Sequence, residues 1–231
     1  MKNCVFRVIP YFQNQRPIGQ RLLLAVMLCG SSLVAASRCA HGEEPVITRI
    51  EEDWVLVVRN PNLAKTAPQL LNVISPIPNL SGQYAILEVN HATQPQFSAG
   101  GLQLQAWKGE TLTAFHPSIC SASLRFDNET IRYTIVMDLQ GGKLTVEVKD
   151  GSSDTWGTFG SKGYLKTHMA SSLSDLGQYS PQFSADQSRV GYGGKRVGRF
   201  YLDRTRYFSD SSPTPVRTDE TDRRSPADPE D

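Results

Sequence analysis

After residue 42 the chain has a single cysteine, Cys120; the other three, Cys4, Cys29 and Cys39, all precede it. One thiol cannot close an internal disulfide, so a small disulfide-stapled scaffold is excluded and the body must hold by its core. Such a lone thiol reads as a small buried hydrophobe. Excess charge is missing as well. Residues 43–208 carry 16 Lys+Arg and 16 Asp+Glu. A neutral body has no electrostatic footprint for nucleic acid, so nucleic acid is not an expected partner. No apolar run reaches the roughly 20 residues that a bilayer-spanning helix needs. No sustained helical period follows residue 42, and no repeat of fixed length, which disfavours solenoids and propellers. His91, His116 and His168 are scattered without metal-ligand spacing. Gly191-Tyr192-Gly193-Gly194 lacks the Lys-Ser/Thr ending of a phosphate loop, and there is no Gly-x-Ser-x-Gly elbow.

The first 42 residues differ from the rest. They hold Lys2, Arg7, Arg16, Arg21 and Arg38, no acidic residue, and an apolar run from Leu22 to Ala36. A basic region, a short apolar region and small residues beyond it describe a signal peptide, with cleavage expected after Ala36 or Gly42. An uncleaved anchor helix is the alternative. Leu28 before Cys29 and Arg38 before Cys39 do not fit a lipobox. The expected destination is secreted or periplasmic, at the cell envelope, with no transmembrane segment once the leader is removed. Residues 209–231 hold four prolines and seven acids, and Val216 is their one large hydrophobe. That composition predicts a disordered acidic, Pro-rich tail.

Between leader and tail, at 43–208, the pattern has period two. Ile131, Tyr133, Ile135, Met137 and Leu139 share one face of a strand, and Leu144, Val146 and Val148 share one face of the next. Gln140-Gly141-Gly142 between them predicts a hairpin turn. Trp54, Leu56 and Val58 alternate with Val55 and Val57, the mark of a strand covered on both faces. Gln69 to Ser75 reads as an edge strand or loop entry before Pro76. Leu173 to Leu176 reads as one helical turn. Short strands with frequent turns predict an all-β protein, an antiparallel two-sheet β-sandwich.

The last strands carry a resemblance. Ser188-Arg189-Val190-Gly191-Tyr192-Gly193-Gly194-Lys195-Arg196-Val197-Gly198-Arg199-Phe200-Tyr201-Leu202 resembles the closing strand pair of concanavalin A-like lectin/glucanase domains, laminin-G-type modules included. Gly101-Leu102-Gln103-Leu104-Gln105-Ala106-Trp107 is similar to one of their sheet strands. The resemblance implies a jelly roll, often with glycan bound on a concave face or at loop tips. It transfers no activity.

Four residues form the expected ligand site. Alternation puts Gln103, Gln105 and Trp107 on one side of their strand. Two amides bond hydroxyls and an indole stacks on the C–H face of a sugar. Trp156, in the Gly- and Ser-rich stretch that follows the hairpin, is the fourth. The plainer account is a Trp covering the sheet beside solvated glutamines. Asp150 and Asp154 in Asp150-Gly151-Ser152-Ser153-Asp154 are the candidate ligands for Ca²⁺, though Asp-Gly is also a common turn former. No other cofactor is expected.

Glu51 and Asp53 share a strand face as paired catalytic carboxylates do. The glucanase pattern Glu-x-Asp-x-Glu is absent, so Ile50-Glu51-Glu52-Asp53-Trp54 reads as a solvated strand entry. Arg189, Lys195, Arg196, Arg199, Arg204 and Arg206 gather near the end of the body and read as an edge strand guarded by charge, or as a contact for acidic polysaccharide. The sequence therefore points to an exported, non-catalytic β-sandwich that binds carbohydrate or another cell-surface ligand. A structural or protein-interaction domain of the envelope is the alternative, and a glycoside hydrolase a remote one.

Overall fold

The computed structural model describes residues 44–59, 69–90, 101–116, 124, 126–160, 165–192, 196–210, 212–220 and 222–225, all within one unit of the chain. The leader, the 91–99 segment, Cys120 and the Gly193-Gly194 turn lie outside them. The chain enters a larger sheet with β1 (Arg49–Val58). It crosses to a smaller sheet for the meander β2 (Gln69–Ile74), β3 (Gln83–Val89), β4 (Leu102–Lys108) and β5 (Thr111–Phe115). It returns for β6 (Glu129–Gln140), β7 (Lys143–Ser153), β8 (Gly157–Phe159) and β9 (Lys166–Ala170). After α1 (Pro181–Gln187), β10 (Arg189–Tyr192) joins the smaller sheet, and β11 (Val197–Phe208), β12 (Arg217–Asp219) and β13 (Arg223–Arg224) complete the larger.

All pairings are antiparallel. The larger sheet runs β12-β11-β1-β6-β7-β8, with β13 also on β11 and β9 on β7; the smaller runs β10-β2-β3-β4-β5. Inward residues of both sheets, among them Trp54, Leu56, Ile131, Ile135, Leu87 and Leu104, meet in one buried core. That shared core makes the pair of sheets a β-sandwich. Each inward Leu or Ile stabilises it by roughly 1.5–3 kcal/mol. Among the described residues no helix is long and apolar enough to cross a membrane.

The hairpin of β6 and β7 forms as its alternation requires, and Gly141 and Gly142 turn it with φ of 56° and 72°. Positive φ at both positions suits the right-handed twist of the strands and is open to glycine at little cost. β1 lies between β6 and β11, and on its outer face Val55 is buried between the residues opposite it, Arg132 of β6 and Tyr201 of β11.

Four expectations need correction. β2 is not an edge, because β10 pairs along its free side. Leu173–Leu176 forms bends, and the helix starts later, where Ser180 accepts the Phe183 N–H at 3.3 Å and Pro181 fills the first helical position. Of the basic residues, Arg189 does lie on an edge strand, β10, but β11 is no edge, since β1 covers one side and β12 with β13 the other. Nor is the tail wholly disordered: 217–219 and 223–224 pair with β11. Backbone bonds to an open strand need no large side chain, so composition could not reveal this pairing.

Candidate functional site

On β4, Leu102, Leu104 and Ala106 are buried in the core, and Gln103, Gln105 and Trp107 stand half-buried on the outer face of the smaller sheet. Register fixes their neighbours. Tyr84 lies opposite Trp107, Ile86 opposite Gln105 and Glu88 opposite Gln103. From β5, Leu112 opposes Trp107 and Phe115 opposes Gln105. Thr113 is an extra residue between them, a β-bulge whose hydroxyl donates to the Ala106 carbonyl at 3.0 Å. The bulge turns both Leu112 and Phe115 outward, where they are 42% and 58% exposed.

The three predicted residues on β4 are joined by hydrogen bonds. Trp107 Nε1 donates to Gln105 Oε1 at 3.0 Å, and Gln105 Nε2 donates to Gln103 Oε1 at 2.8 Å. The chain sets the orientation of both amides. Its remaining donors are the Gln103 amide and the second Gln105 N–H. Beside it, the Tyr84 and Trp107 rings lie nearly parallel, 8° apart with centroids at 6.3 Å, an offset stack. The Tyr84 hydroxyl donates to the Gly109 carbonyl at 2.9 Å, which pins that ring. Burial pushes the Tyr84 phenol above its ordinary value, with Arg189 acting the other way. The face is thus an aromatic row running into an amide row.

Trp156 is not part of that face. It sits in the turn between β7 and β8 of the larger sheet, edge-on to Phe159 at 6.1 Å. Glu129, itself buried, holds this turn: its carboxylate accepts the Thr155 N–H at 2.7 Å and the Thr155 hydroxyl at 2.5 Å. Asp150 and Asp154 are both exposed. Among the described residues no three His, Cys, Asp or Glu side chains converge to hold a metal.

The Glu51-Glu52-Asp53 segment is no solvated entry. Glu51 and Asp53 face outward under β11. Arg204 bonds Asp53 at 2.7 Å, Arg206 bonds it at 2.9 Å and Glu51 at 3.1 Å, and the Thr134 hydroxyl donates to Asp53 at 2.7 Å. Asp203 bulges out of register on β11 and so brings Arg204 and Arg206 to this side. Both carboxylates are committed to arginines, which leaves no acid pair for glycoside hydrolysis here.

Glu52 points the other way, into the core, and is fully buried. The inward phase of Ile50, Trp54, Leu56 and Val58 carried that signal in the sequence. Its carboxyl accepts the Trp54 indole N–H at 2.8 Å and the Tyr179 hydroxyl. Burial pushes it up to about 7, although both bonds, and more weakly Ser184, pull it down. Ser184 Oγ makes no hydrogen bond of normal geometry.

Two surface clefts lie elsewhere. One, of about 640 Å³, is lined by Tyr179, Gln182, Tyr207, Arg217, Glu220 and neighbours. There the Arg217 guanidinium lies 3.6 Å over the Tyr207 ring. The other, of about 330 Å³, lies between Arg49, Asp138, Phe208 and Asp210. Burial raises the Asp138 carboxyl, Arg49 opposes this and Asp210 adds to it. Neither cleft contains a residue predicted as ligand-binding. No family model, curated protein or solved structure matches the chain.

Proposed function

We propose that the protein is a non-catalytic β-sandwich that binds carbohydrate on the outer face of its smaller sheet. The observation that carries this is the hydrogen-bonded row Trp107–Gln105–Gln103 beside the stacked Tyr84. A pyranose presents an apolar C–H face and a rim of hydroxyls, and this face offers rings and amides side by side. In this reading the two sheets form a jelly roll of the concanavalin A-like type, and the basic–apolar leader directs export to the envelope or beyond. The site comprises Gln103, Gln105 and Trp107 with Tyr84; Trp156 stands apart from it. A glycan array with the folded protein tests this: wild type binds, and Trp107→Ala loses binding with its circular dichroism unchanged. Binding to no glycan, or equal binding by the variant, would overturn it.

A second reading has its own support. Leu112 and Phe115 are exposed beside the same face, on an outermost strand. Exposed apolar residues at a sheet edge suit a protein contact, so an envelope interaction domain is the alternative. Loss of a protein partner on Phe115→Ser, with glycan arrays blank, would select it.

A further inference from the structure

The interior of the sandwich contains a polar seam. Glu52 stands at one end with its two bonds from Trp54 and Tyr179. Thr205 lies directly across from Glu52 on β11, and Tyr133 across from Trp54 on β6. From α1, the Ser184 carbonyl accepts the Ser188 hydroxyl at 2.8 Å. Ser188 Oγ in turn accepts the Asn72 amide at 3.3 Å and the Val73 N–H at 3.0 Å. The Ser225 hydroxyl closes the far end on the Ser188 carbonyl.

Four polar atoms in this seam lack a hydrogen bond of normal geometry among the described residues: Tyr133 OH, Thr205 Oγ1, Asn72 Oδ1 and Ser184 Oγ, the last near enough to Glu52 to lower its carboxyl. Their residues are at most 2% exposed. Buried hydroxyls and amides are normally bonded, because an unmet one forfeits the hydrogen bonds it had in water. Directly opposed residues in a sheet hold their Cβ atoms about 4.5–5.5 Å apart. Thr205 and Glu52 face each other in register, and the Thr205 hydroxyl closes no bond across that pair. The set is also chemically suited to water. Three members are hydroxyls that donate and accept, and the fourth is a pure acceptor. A metal ion suits it less, because the seam's one carboxyl already receives a protein bond on each oxygen.

We propose that the seam is a buried hydration site, in which ordered water bridges Glu52 and Thr205 and completes the bonding of Ser184, Tyr133 and Asn72. Water held this way joins β1, β11 and α1, and a core that would otherwise carry unmet polar groups is satisfied.

Oxygen-17 relaxation dispersion on the folded full chain tests the site. Wild type should show at least one water that outlasts molecular tumbling, and Ser184→Ala/Thr205→Val should lose it. Thr205→Val should lower Tm by about 2–4 °C if its hydroxyl is bonded to water. In a dry seam the same change raises Tm, because it removes an unmet hydroxyl. Thr205→Ser keeps the hydroxyl and should keep the water. If the double variant does not fold, the wild-type dispersion and the two single variants decide the matter. Absence of a long-lived water in wild type overturns the proposal. So does a Tm that rises in Na⁺ or K⁺ over equal choline, which would assign the seam to a cation.

Discussion

Tyr179 donates its phenolic proton to Glu52, 127 positions earlier in the chain, and so ties the segment ahead of α1 to the middle of β1. The bond joins a residue at the wall of the larger cleft to a carboxyl with no solvent exposure.

Glu52 should make stability depend on pH. Its folded value is raised to about 7 by burial, against 4.5 for an ordinary glutamate. Below the unfolded value the carboxyl is protonated in both states, and its contribution is fully present. As pH rises through about 7 the folded protein must bury a charge, and that contribution is lost. The loss is on the order of 3 kcal/mol. Thermal melts from pH 4.5 to 8.5 should therefore show Tm falling up to about pH 7 and levelling above it, and Glu52→Gln should flatten the slope. Parallel curves for the two proteins would refute the assignment. The variant keeps an amide oxygen for the Trp54 N–H, and the Tyr179 hydroxyl can rotate to accept from the amide nitrogen.

The outer row on β4 makes a prediction that needs no ligand. Gln105→Leu removes the acceptor of the Trp107 indole N–H while retaining a side chain of similar size. The indole N–H resonance should shift and its exchange with water should quicken. Tm should move by no more than about 2–4 °C, since a half-exposed hydrogen bond contributes about 1 kcal/mol. A stationary indole resonance would mean that the row does not orient Trp107.

What the sequence made legible was periodic. Alternation along β1, β4, β6 and β7 told which side chains face the core, and the structure agrees at Trp54, Leu104, Ile135 and Val146. The outward trio on β4 was legible for the same reason, since strand phase needs no knowledge of partners. What pairs with it was not. Tyr84, Leu112 and Phe115 reach the same face through register and through the Thr113 bulge, and neither leaves a local signal. Glu52 was hidden by its neighbours: three acids in a row suggest solvent, and only the phase of the strand separates the middle one. The two arginines over Asp53 depend on the Asp203 bulge, a feature of β11 pairing on β1.

Asp53 should matter more than an isolated surface ion. It accepts bonds from Arg204, Arg206 and Thr134 and is largely shielded. Asp53→Asn leaves two adjacent guanidinium groups with one fewer negative partner. Arg204 is well exposed, so solvent screens much of the effect. A destabilisation of about 1 kcal/mol is expected, because three bonds share one carboxylate. Urea unfolding at low and high salt measures it. The difference between wild type and variant should shrink in 1 M salt, and a salt-independent difference would point to packing instead.

The C-terminal segment gives the sharpest contrast between composition and structure. A solvated tail can be removed without effect. Here β12 pairs with Thr205, Arg206 and Tyr207, and β13 pairs with Tyr201 and Leu202. Val216 N–H bonds the Tyr207 carbonyl at 2.8 Å and Ser225 N–H bonds the Phe200 carbonyl at 3.0 Å. The Ser225 hydroxyl reaches Ser188, and Arg217 covers the Tyr207 ring. A chain ending at Asp210 loses all of these and opens one side of the twelve-residue strand β11. With net bonds of about 0.5–1.5 kcal/mol each, the truncated protein should lose roughly 2–4 kcal/mol. That corresponds to a fall in Tm of about 4–16 °C. It should also self-associate, because β11 would present unpaired N–H and C=O groups beside Phe200 and Tyr207. Melting curves with light scattering on the two chains decide it. Equal Tm and no added scattering would mean that the segment does not pair with β11 in solution, and β11 would then be the edge strand that its charges first suggested.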